Sequence, residues 1–256
     1  MPKLDLGLPS YDSLFSTEEE RQEANTEKVM TIPINKIKDF EGHPFHVTMD
    51  EDMAKLYFKY GAMGSSKTAT ALITKYNYEE RGMKVWLIKP AADSRDGQFT
   101  LKSRIGLSSE CEAISADKDI RTLYHAREKA DVIIVDECQF MTTAQIDQLR
   151  ELVDREDLPV LCFGLRTDFQ TKLFPGSMRL FELADSITEI KTICDCGRKA
   201  TTNARISPEG YVVTEGDQVF LGGNDSYIAM CHKCYQDYIL QHRKVELLHG
   251  SERDLT

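Results

Sequence analysis

The sequence predicts an α/β fold in which a mostly parallel sheet with helices on both faces is followed by a smaller, cysteine-bearing unit. Strand-like and helix-like segments alternate from residue 53 to about residue 191, as in parallel strands connected by helices. Three apolar runs without polar alternation, KVWLI (84–88), DVIIVDE (131–137) and LPVLCFG (158–164), indicate strands buried on both faces. After residue 191 the chain changes to short strand-like segments, turns and paired cysteines, which indicates a second unit.

The remaining elements of the first unit are predicted from caps, breakers and apolar spacing. Residues 54–60 (AKLYFKY) form a strand that enters a glycine-rich turn, and a helix follows over residues 67–80 with Gly82 as its stop. Residues 117–129 are also predicted to be helical. The segment TTAQIDQLRELVD (142–154) has the spacing of an amphipathic helix, and either of its two leading threonines can cap the first turn.

Composition and charge exclude several classes of function. The 256 residues carry a net charge of -10, which argues against a nucleic-acid surface because such a surface needs a basic footprint. No apolar stretch is long enough for a membrane span, and the N-terminus lacks the apolar run of a secretory signal. We therefore expect a cytoplasmic protein that binds neither membranes nor nucleic acid. Residues 1–52 hold 5 Lys/Arg and 12 Asp/Glu, so this segment is predicted to be a separate, partly disordered unit.

The stretch YGAMGSSKTAT (60–70) nearly matches the phosphate-loop pattern G-x-x-x-x-G-K-[ST]. Gly61, Lys67 and Thr68 are in register, but Ser66 replaces the second glycine, and a glycine stands two places earlier at Gly64. We expect Ser66 to keep a negative φ while Gly64 takes the special dihedral. A strand–turn–helix without a ligand is the alternative. The candidate residues for the phosphates of ATP are Gly61, Ala62, Met63, Gly64, Ser65, Ser66, Lys67 and Thr68.

An acidic pair, Asp136 and Glu137, follows the apolar run VIIV. Ligands of open α/β sheets collect at the carboxyl ends of the strands, where an Asp commonly helps to hold Mg²⁺ beside a phosphate loop. Glu137 is then placed to accept a proton from the attacking nucleophile. Capping of the next helix is the alternative for both acids. Together with the phosphate loop, the pair indicates phosphoryl chemistry, with either water or an alcohol as the nucleophile.

Four of the seven cysteines form two close pairs, C-x-C-G and C-x-x-C, separated by 34 residues. Four thiolates suit tetrahedral structural zinc, which stabilises small units that have little core of their own. A disulfide and ligation by His232 are the alternatives. Cys111, Cys138 and Cys162 are interpreted as buried, inert thiols. The predicted zinc ligands are Cys194, Cys196, Cys231 and Cys234.

Several segments, taken in order, carry a resemblance to a known family. They are KLYFKYGAMGSSKTATAL, YNYEERGMKVWLIKPAADSRDG, SRIGL, VIIVDECQF, GLRTDFQTKLFPGS, ICDCGRKATTNARI, GGNDSY and CHKCY. From about Met53 to Tyr238 the chain resembles the zinc-containing type II thymidine kinases. The resemblance implies a RecA-like P-loop domain and a zinc-ribbon lasso domain that closes over the nucleoside. It also implies transfer of the γ-phosphate of ATP to the 5′-hydroxyl of thymidine, a homotetramer, and feedback inhibition by dTTP.

The resemblance also implies roles for individual residues. Lys67 and Thr68 would serve the ATP phosphates and Mg²⁺, Glu137 would be the general base, and Asp93 and Arg95 would lie near the phosphates and metal. Residues implied around the nucleoside are Met63, Phe140, Leu165, Phe169 and Tyr227, with main-chain groups of Phe220, Leu221, Gly222 and Gly223 reading the base edge. Met63, Leu165 and Phe169 are also compatible with core positions. Arg104, in SRIGL, is compatible with phosphate binding or with a surface ion pair.

The predicted organisation has four parts. An acidic extension (1–52) precedes a P-loop domain (53–191), a zinc-binding lasso domain (192–240) and a C-terminal helix end and tail (241–256). Part of the extension, IPINKIKDFEGHPFHVTMDED, resembles the opening of ParB-like domains, and we expect a fused or misjoined leader without ParB activity. Two other functions remain compatible with the motifs: a P-loop ATPase that activates water, and a non-enzymatic binding module.

Overall fold

The computed structural model describes residues 54–93, 97, 99–218 and 227–245. The predictions for the N-terminal extension and its ParB-like segment lie outside these residues, as does the predicted C-terminal tail beyond residue 245. Arg95 and the main-chain groups of residues 220–223 also lie outside them. Among the described residues, no helix combines the length and the apolar character needed to cross a membrane.

A six-stranded sheet organises the first part of the described chain. Its strands lie in the order β5-β2-β6-β7-β1-β8, and every neighbouring pair is parallel. The strands are β1 (Leu56–Tyr60), β2 (Val85–Pro90), β5 (Glu112–Ile114), β6 (Val132–Val135), β7 (Val160–Gly164) and β8 (Ser186–Glu189), with β3 (Thr100–Lys102) and β4 (Ser108–Glu110) forming a separate antiparallel hairpin. The helices are α1 (Lys67–Glu79), α2 (Ile120–His125), α3 (Thr143–Glu156) and α4 (Pro175–Leu183).

The central strand β6 shows why the sheet needs helices on both faces. All four of its side chains are fully buried. Ile133 and Val135 belong to the apolar cluster that contains residues of α2, α3 and α4, whereas Val132 and Ile134 belong to the cluster that contains residues of α1. Alternate side chains therefore pack on opposite faces, as a strand covered on both sides requires. The predicted α/β fold is confirmed.

Several boundaries differ from the predicted ones. The helix predicted over 117–129 is limited to α2, which begins after Asp119, whose carboxylate accepts a hydrogen bond from the Thr122 N–H. Of the two threonines before α3, Thr142 is the cap and forms a reciprocal capping box with Gln145. Helix α4, which begins with Pro175, and strand β8 were missed, because both are short and neither carries the apolar run that identified the central strands.

A second, antiparallel sheet follows in the order β10-β9-β11. Its strands are β9 (Thr202–Ile206), β10 (Val212–Val213) and β11 (Tyr227–Met230), and helix α5 (His232–Leu240) comes directly after them. Their buried side chains form a small cluster that contains Cys194, Cys231 and Tyr235. The strands of the six-stranded sheet are therefore parallel up to β8, and the strands from β9 onward are antiparallel.

Candidate active site

The phosphate-loop stretch connects the end of β1 to the first residue of α1, as its motif requires. Lys67 is buried, and its Nζ donates to the Ala62 carbonyl at 2.9 Å and to Ser65 Oγ at 3.3 Å. Burial lowers the pKa of Lys67, while the charges of Glu137 and Asp136 act in the opposite direction. At Gly61 a Cβ would lie 2.3 Å from the Ile190 carbonyl oxygen, so this position accepts only glycine.

The prediction that Ser66 keeps a negative φ is wrong. Ser66 has a φ of 61° and stands in the left-handed region as the N-cap of α1, while Gly64 is also left-handed with a φ of 74°. Ser66 therefore takes the conformation that a glycine at this position would take. The positive φ of Gly64 does not remove the need for a positive φ at Ser66. The path of the loop into α1 overrides the preference of serine, at a cost of about 1–2 kcal/mol.

The end of β6 brings Asp136 to the first turn of α1. Thr68 Oγ1 donates to Asp136 Oδ2 at 2.8 Å, and Asp136 is almost fully buried. Burial, with repulsion from Glu137, raises the pKa of Asp136 to about 7. Within the described part of the chain, Asp136 Oδ1 is a buried side-chain oxygen that lacks a hydrogen-bond partner. The Thr68 hydroxyl and the Asp136 carboxylate, whose Oδ1 is left without a hydrogen-bond partner, together fit a divalent cation such as Mg²⁺.

Glu137 follows in a strained conformation with a φ of 50°. Gln139 Nε2 donates to Glu137 Oε2 at 2.5 Å, and Gln139 Oε1 accepts from the Leu165 N–H at 2.9 Å. Gln139 is buried and thereby fixes the carboxylate relative to the segment after β7. Positive φ values in non-glycine residues concentrate at functional sites. Sequence reasoning missed Gln139, although it lies in the DECQF segment that carries the acidic pair.

A cavity of about 670 Å³ collects most of the predicted phosphate and metal residues. Asp136 and Glu137 line it together with Asp93, and the two residues predicted around the nucleoside that reach it are Met63 and Leu165. The phosphate-loop residues on its wall are Met63, Gly64, Ser66, Lys67 and Thr68. Residues 101–106, which comprise the end of β3 and most of the turn to β4, also line the cavity and include Arg104.

Among the described residues, three that were predicted around the nucleoside lie outside the lining of this cavity: Phe140, Phe169 and Tyr227. Phe140 packs edge-on against Phe174, with ring centroids 5.6 Å apart. Phe169 is buried, and the Arg205 guanidinium carbon lies 3.7 Å from the centre of its ring. Tyr227 Oη accepts a hydrogen bond from Arg205 Nε at 2.9 Å, so Arg205 links Phe169 to Tyr227. Arg205 was not predicted, because a single arginine in a short strand has no distinguishing pattern.

Asn203 on β9 joins the second sheet to the phosphate loop. Its Oδ1 accepts from the Met63 N–H at 2.8 Å, and its Nδ2 donates to the Thr167 carbonyl at 3.2 Å. Tyr235 on α5 adds a hydrogen bond from its hydroxyl to the Phe169 carbonyl at 2.7 Å. The cysteine-bearing unit therefore holds both Met63 and the segment after β7 that contains Leu165 and Phe169.

Asp93 is held by a buried lysine that the sequence did not single out. Lys89 is fully buried at the end of β2, and its Nζ lies 3.7 Å from Asp93 Oδ2. The same Nζ donates to the carbonyls of Gly97 at 2.8 Å and Thr100 at 3.0 Å. Buried charges are stable only when paired and hydrogen-bonded, so Lys89 and Asp93 form one unit at the cavity edge.

The four predicted zinc ligands come together. The sulfur atoms of Cys194, Cys196, Cys231 and Cys234 all lie within 4.8 Å of one another, and none is in a disulfide. The Cys196 and Cys231 sulfurs are 3.6 Å apart, close to the edge of about 3.8 Å of a tetrahedron with zinc–sulfur bonds of about 2.3 Å. His232 is exposed and stands outside this group. The thiols therefore fit one tetrahedral zinc ion.

The comparisons with known proteins all identify the same family. The family model for thymidine kinase matches residues 54–235. The thymidine kinase of Shewanella oneidensis is 44% identical over 190 residues, which cover 73% of this chain and 99% of that protein. The thymidine kinase of Vibrio cholerae is 47% identical over 189 residues, covering 72% and 98%. That of Legionella pneumophila is 47% identical over 188 residues, covering 72% and 90%. With these matches over nearly all of its described residues, the chain belongs to the thymidine kinase family.

Proposed function

We propose that this protein transfers the γ-phosphate of ATP to the 5′-hydroxyl of thymidine and so forms dTMP. The observation that carries the proposal is one cavity in which Glu137 stands beside Lys67 and the Thr68–Asp136 pair. Lys67 is the point charge for the β- and γ-phosphates, and the loop N–H groups at the start of α1 surround phosphate oxygens. The family membership identifies the acceptor as a nucleoside rather than water.

The chemistry that this chain contributes is positioning and proton transfer. The 5′-oxygen attacks the γ-phosphorus, the bond from that phosphorus to the β–γ bridging oxygen breaks, and ADP leaves. Glu137 accepts the hydroxyl proton, and Gln139 keeps its carboxylate at the required angle through the 2.5 Å hydrogen bond. Phosphoryl transfer of this kind depends almost entirely on positioning and electrostatic stabilisation, which a partly enclosed cavity strengthens.

Two metal ions are part of the proposal. Thr68 and Asp136 would hold Mg²⁺, with Asp93 nearby, and the ion would neutralise charge on the phosphate oxygens. The four cysteines would hold a structural zinc ion that stabilises the second sheet and α5. Ionised Asp136 is the form that binds a cation, so a bound Mg²⁺ ion would oppose the rise in the pKa of Asp136 that burial causes.

The nucleoside is proposed to lie against Met63 and Leu165, which were predicted to contact the nucleoside and which line the cavity. Phe140, Phe169 and Tyr227 complete this region in the proposal, with Arg205 holding the last two in place. Flat aromatic rings and methionine suit a pyrimidine ring. Arg95 and the main-chain groups of residues 220–223 remain predictions from the family resemblance.

Regulation and assembly are proposed from the same resemblance. We expect dTTP to inhibit the enzyme, because a product-like nucleotide shares the thymine contacts, and we expect a homotetramer. Helix α1 exposes Ile73 and Tyr76, large apolar side chains of the kind that subunit interfaces cover. Static light scattering checks the assembly, and a dTTP titration of the initial rate checks the inhibition.

One assay tests the central proposal against its rivals. Labelled ATP is supplied with each of the four deoxynucleosides in turn, to the full-length protein and to a form that starts at Met53. Formation of dTMP from thymidine is the expected result. ATP hydrolysis that does not depend on thymidine and yields no dTMP would indicate a P-loop ATPase. A melting temperature that responds to neither ATP nor dTTP would instead indicate a non-enzymatic module.

A further inference from the structure

The hairpin β3–β4 places a structured turn on the wall of the cavity. Ser103 and Leu107 close this turn, with the Ser103 N–H donating to the Leu107 carbonyl at 2.8 Å and the Leu107 N–H donating to Ser103 Oγ at 3.0 Å. Gly106 supplies the left-handed residue with a φ of 90°, and its N–H donates to the Ser103 carbonyl at 3.0 Å. Arg104 is therefore presented by a turn whose backbone is fixed by several hydrogen bonds.

Arg104 lies opposite the middle of the phosphate loop. Its Nη1 is 3.8 Å from the point where a Cβ of Gly64 would stand, and both residues line the same cavity. The hairpin contributes two cations, Lys102 and Arg104, and no carboxylate to the cavity wall. Among the described residues, the carboxylates on that wall are those of Asp93, Asp136 and Glu137, which follow β2 and β6.

The cavity wall brings two cations to the phosphate loop. Lys67 and Arg104 line the same cavity, and the positive charge of Arg104 is close enough to act on the Lys67 ammonium group. The carboxylates of Glu137 and Asp136 also act on Lys67, so both signs of charge meet at this point. A nucleoside triphosphate carries about four negative charges, more than Lys67 and one Mg²⁺ ion together can balance.

We propose that Arg104 is a phosphate-binding residue of this site, directed from the β3–β4 turn at the terminal phosphates of the nucleotide. Its planar guanidinium donates two parallel hydrogen bonds to phosphate oxygens, which an ammonium group does not reproduce. Lys67 and Arg104 then both bind the β- and γ-phosphates. This inference rests on the proposed use of ATP. It decides between the two roles that the sequence allows for Arg104, phosphate binding and a surface ion pair.

The test replaces the guanidinium and measures nucleotide and nucleoside separately. In Arg104→Met we expect kcat/KM for ATP to fall about 10- to 100-fold, because a charge-assisted hydrogen bond is lost, with KM for thymidine unchanged. Arg104→Lys is expected to recover part of the loss. Arg155→Met removes an exposed arginine that pairs with Glu151 on α3, and it is expected to match the wild type. Affinity for AMP, which lacks the terminal phosphates, is expected to stay constant in all variants.

Two results would overturn the inference. One is an Arg104→Met enzyme with wild-type kinetics for ATP. The other is an equal loss for ATP, AMP and thymidine together with a lower melting temperature, which would assign Arg104 to the folding of the hairpin. If Arg104→Met is unstable, Arg104→Lys decides, since wild-type ATP kinetics in that variant exclude paired phosphate contacts. If the wild type makes no dTMP, the proposed function fails, and the relative affinities for ATP and AMP still decide the role of Arg104.

Discussion

The parallel sheet that carries the phosphate loop and the antiparallel sheet that lies between the two cysteine pairs are stabilised in different ways. In the parallel sheet, β6 buries four branched apolar side chains completely and contacts helices on both faces. In the antiparallel sheet, β10 has two residues, and four of the eight buried members of the cluster are alanine or cysteine. Small side chains bury little apolar area, so the second sheet needs another source of stability.

The two sheets position different residues of the site. The parallel sheet places Asp136 and Glu137, the proposed metal-binding and catalytic carboxylates, directly after β6, whose side chains are fully buried. The antiparallel sheet provides Asn203 and Arg205, which reach across to Met63 and Phe169. We infer that the four thiols stabilise the second sheet through a metal, and that the nucleoside side of the cavity depends on this sheet. Substitutions can test separately whether the second sheet depends on a metal and whether nucleoside binding depends on the second sheet.

The largest effect is expected from removing the proposed zinc ion. Structural zinc contributes about 10–16 kcal/mol to the folding of small metal-binding units. Cys231→Ser or a strong chelator should therefore unfold the second sheet, expose it to protease and abolish thymidine binding. The ATP-dependent rise in melting temperature should persist, because the parallel sheet has its own core. Cys111→Ser, a cysteine outside the cluster, is the control, and metal content is measured alongside.

A purified protein that contains no zinc and binds thymidine normally would refute the proposal that a metal stabilises the second sheet and that thymidine binding depends on this sheet. Loss of ATP binding together with thymidine binding would show instead that the two sheets fold as one unit.

The next largest effect is expected at the general base. Glu137→Gln keeps the size of the side chain but removes the proton acceptor, and a general base contributes about 10²- to 10⁴-fold to rate. We expect kcat to fall within this range while the dissociation constant of thymidine, measured by calorimetry, stays the same. Glu128→Gln, an exposed residue paired with Lys84, serves as the matched control. Near-normal turnover in the Glu137 variant would exclude this residue as the base.

Asn203→Ala is expected to have an intermediate effect on the contact between the two sheets. The substitution leaves the Met63 N–H and the Thr167 carbonyl without their partner, and a buried unpaired group costs about 1–3 kcal/mol. We expect a lower free energy of unfolding and a higher KM for thymidine, with kcat less affected. Thr201→Ala is the control, since Thr201 contacts Arg166 through its backbone carbonyl. Equal stability of the two variants would show that the Asn203 amide does not couple the sheets.

The fold was predictable wherever local sequence and tertiary packing agree. The apolar run of β6 and the capping threonine of α3 identify their elements without any long-range information. The cluster of thiols followed from residue type and spacing. Gln139 and Asn203 were missed because their roles come from partners 26 and 140 residues away along the chain, at Leu165 and Met63. Such contacts depend on how the sheets meet, and no local pattern records them.

The smallest effect is expected at Ser66, where local preference and loop geometry conflict. Its φ of 61° costs a serine about 1–2 kcal/mol, and its side chain makes no capping hydrogen bond to α1. Ser66→Gly removes this strain but adds flexibility to the unfolded chain, which offsets about 0.5–1 kcal/mol. We therefore expect a gain of about 0.5–1 kcal/mol in the free energy of unfolding, measured by urea denaturation, with unchanged ATP affinity.

Ser66→Ala separates the strain from the hydroxyl group. Alanine keeps the Cβ in the left-handed conformation and removes only the hydroxyl, so its stability should lie within about 0.5 kcal/mol of the wild type. If Ser66→Gly weakens ATP binding and Ser66→Ala does so equally, the hydroxyl contacts the nucleotide and the strain has no separate effect. If only Ser66→Gly weakens it, the rigid left-handed serine pre-organises the loop for phosphate, and its strain is part of the binding site rather than a defect in it.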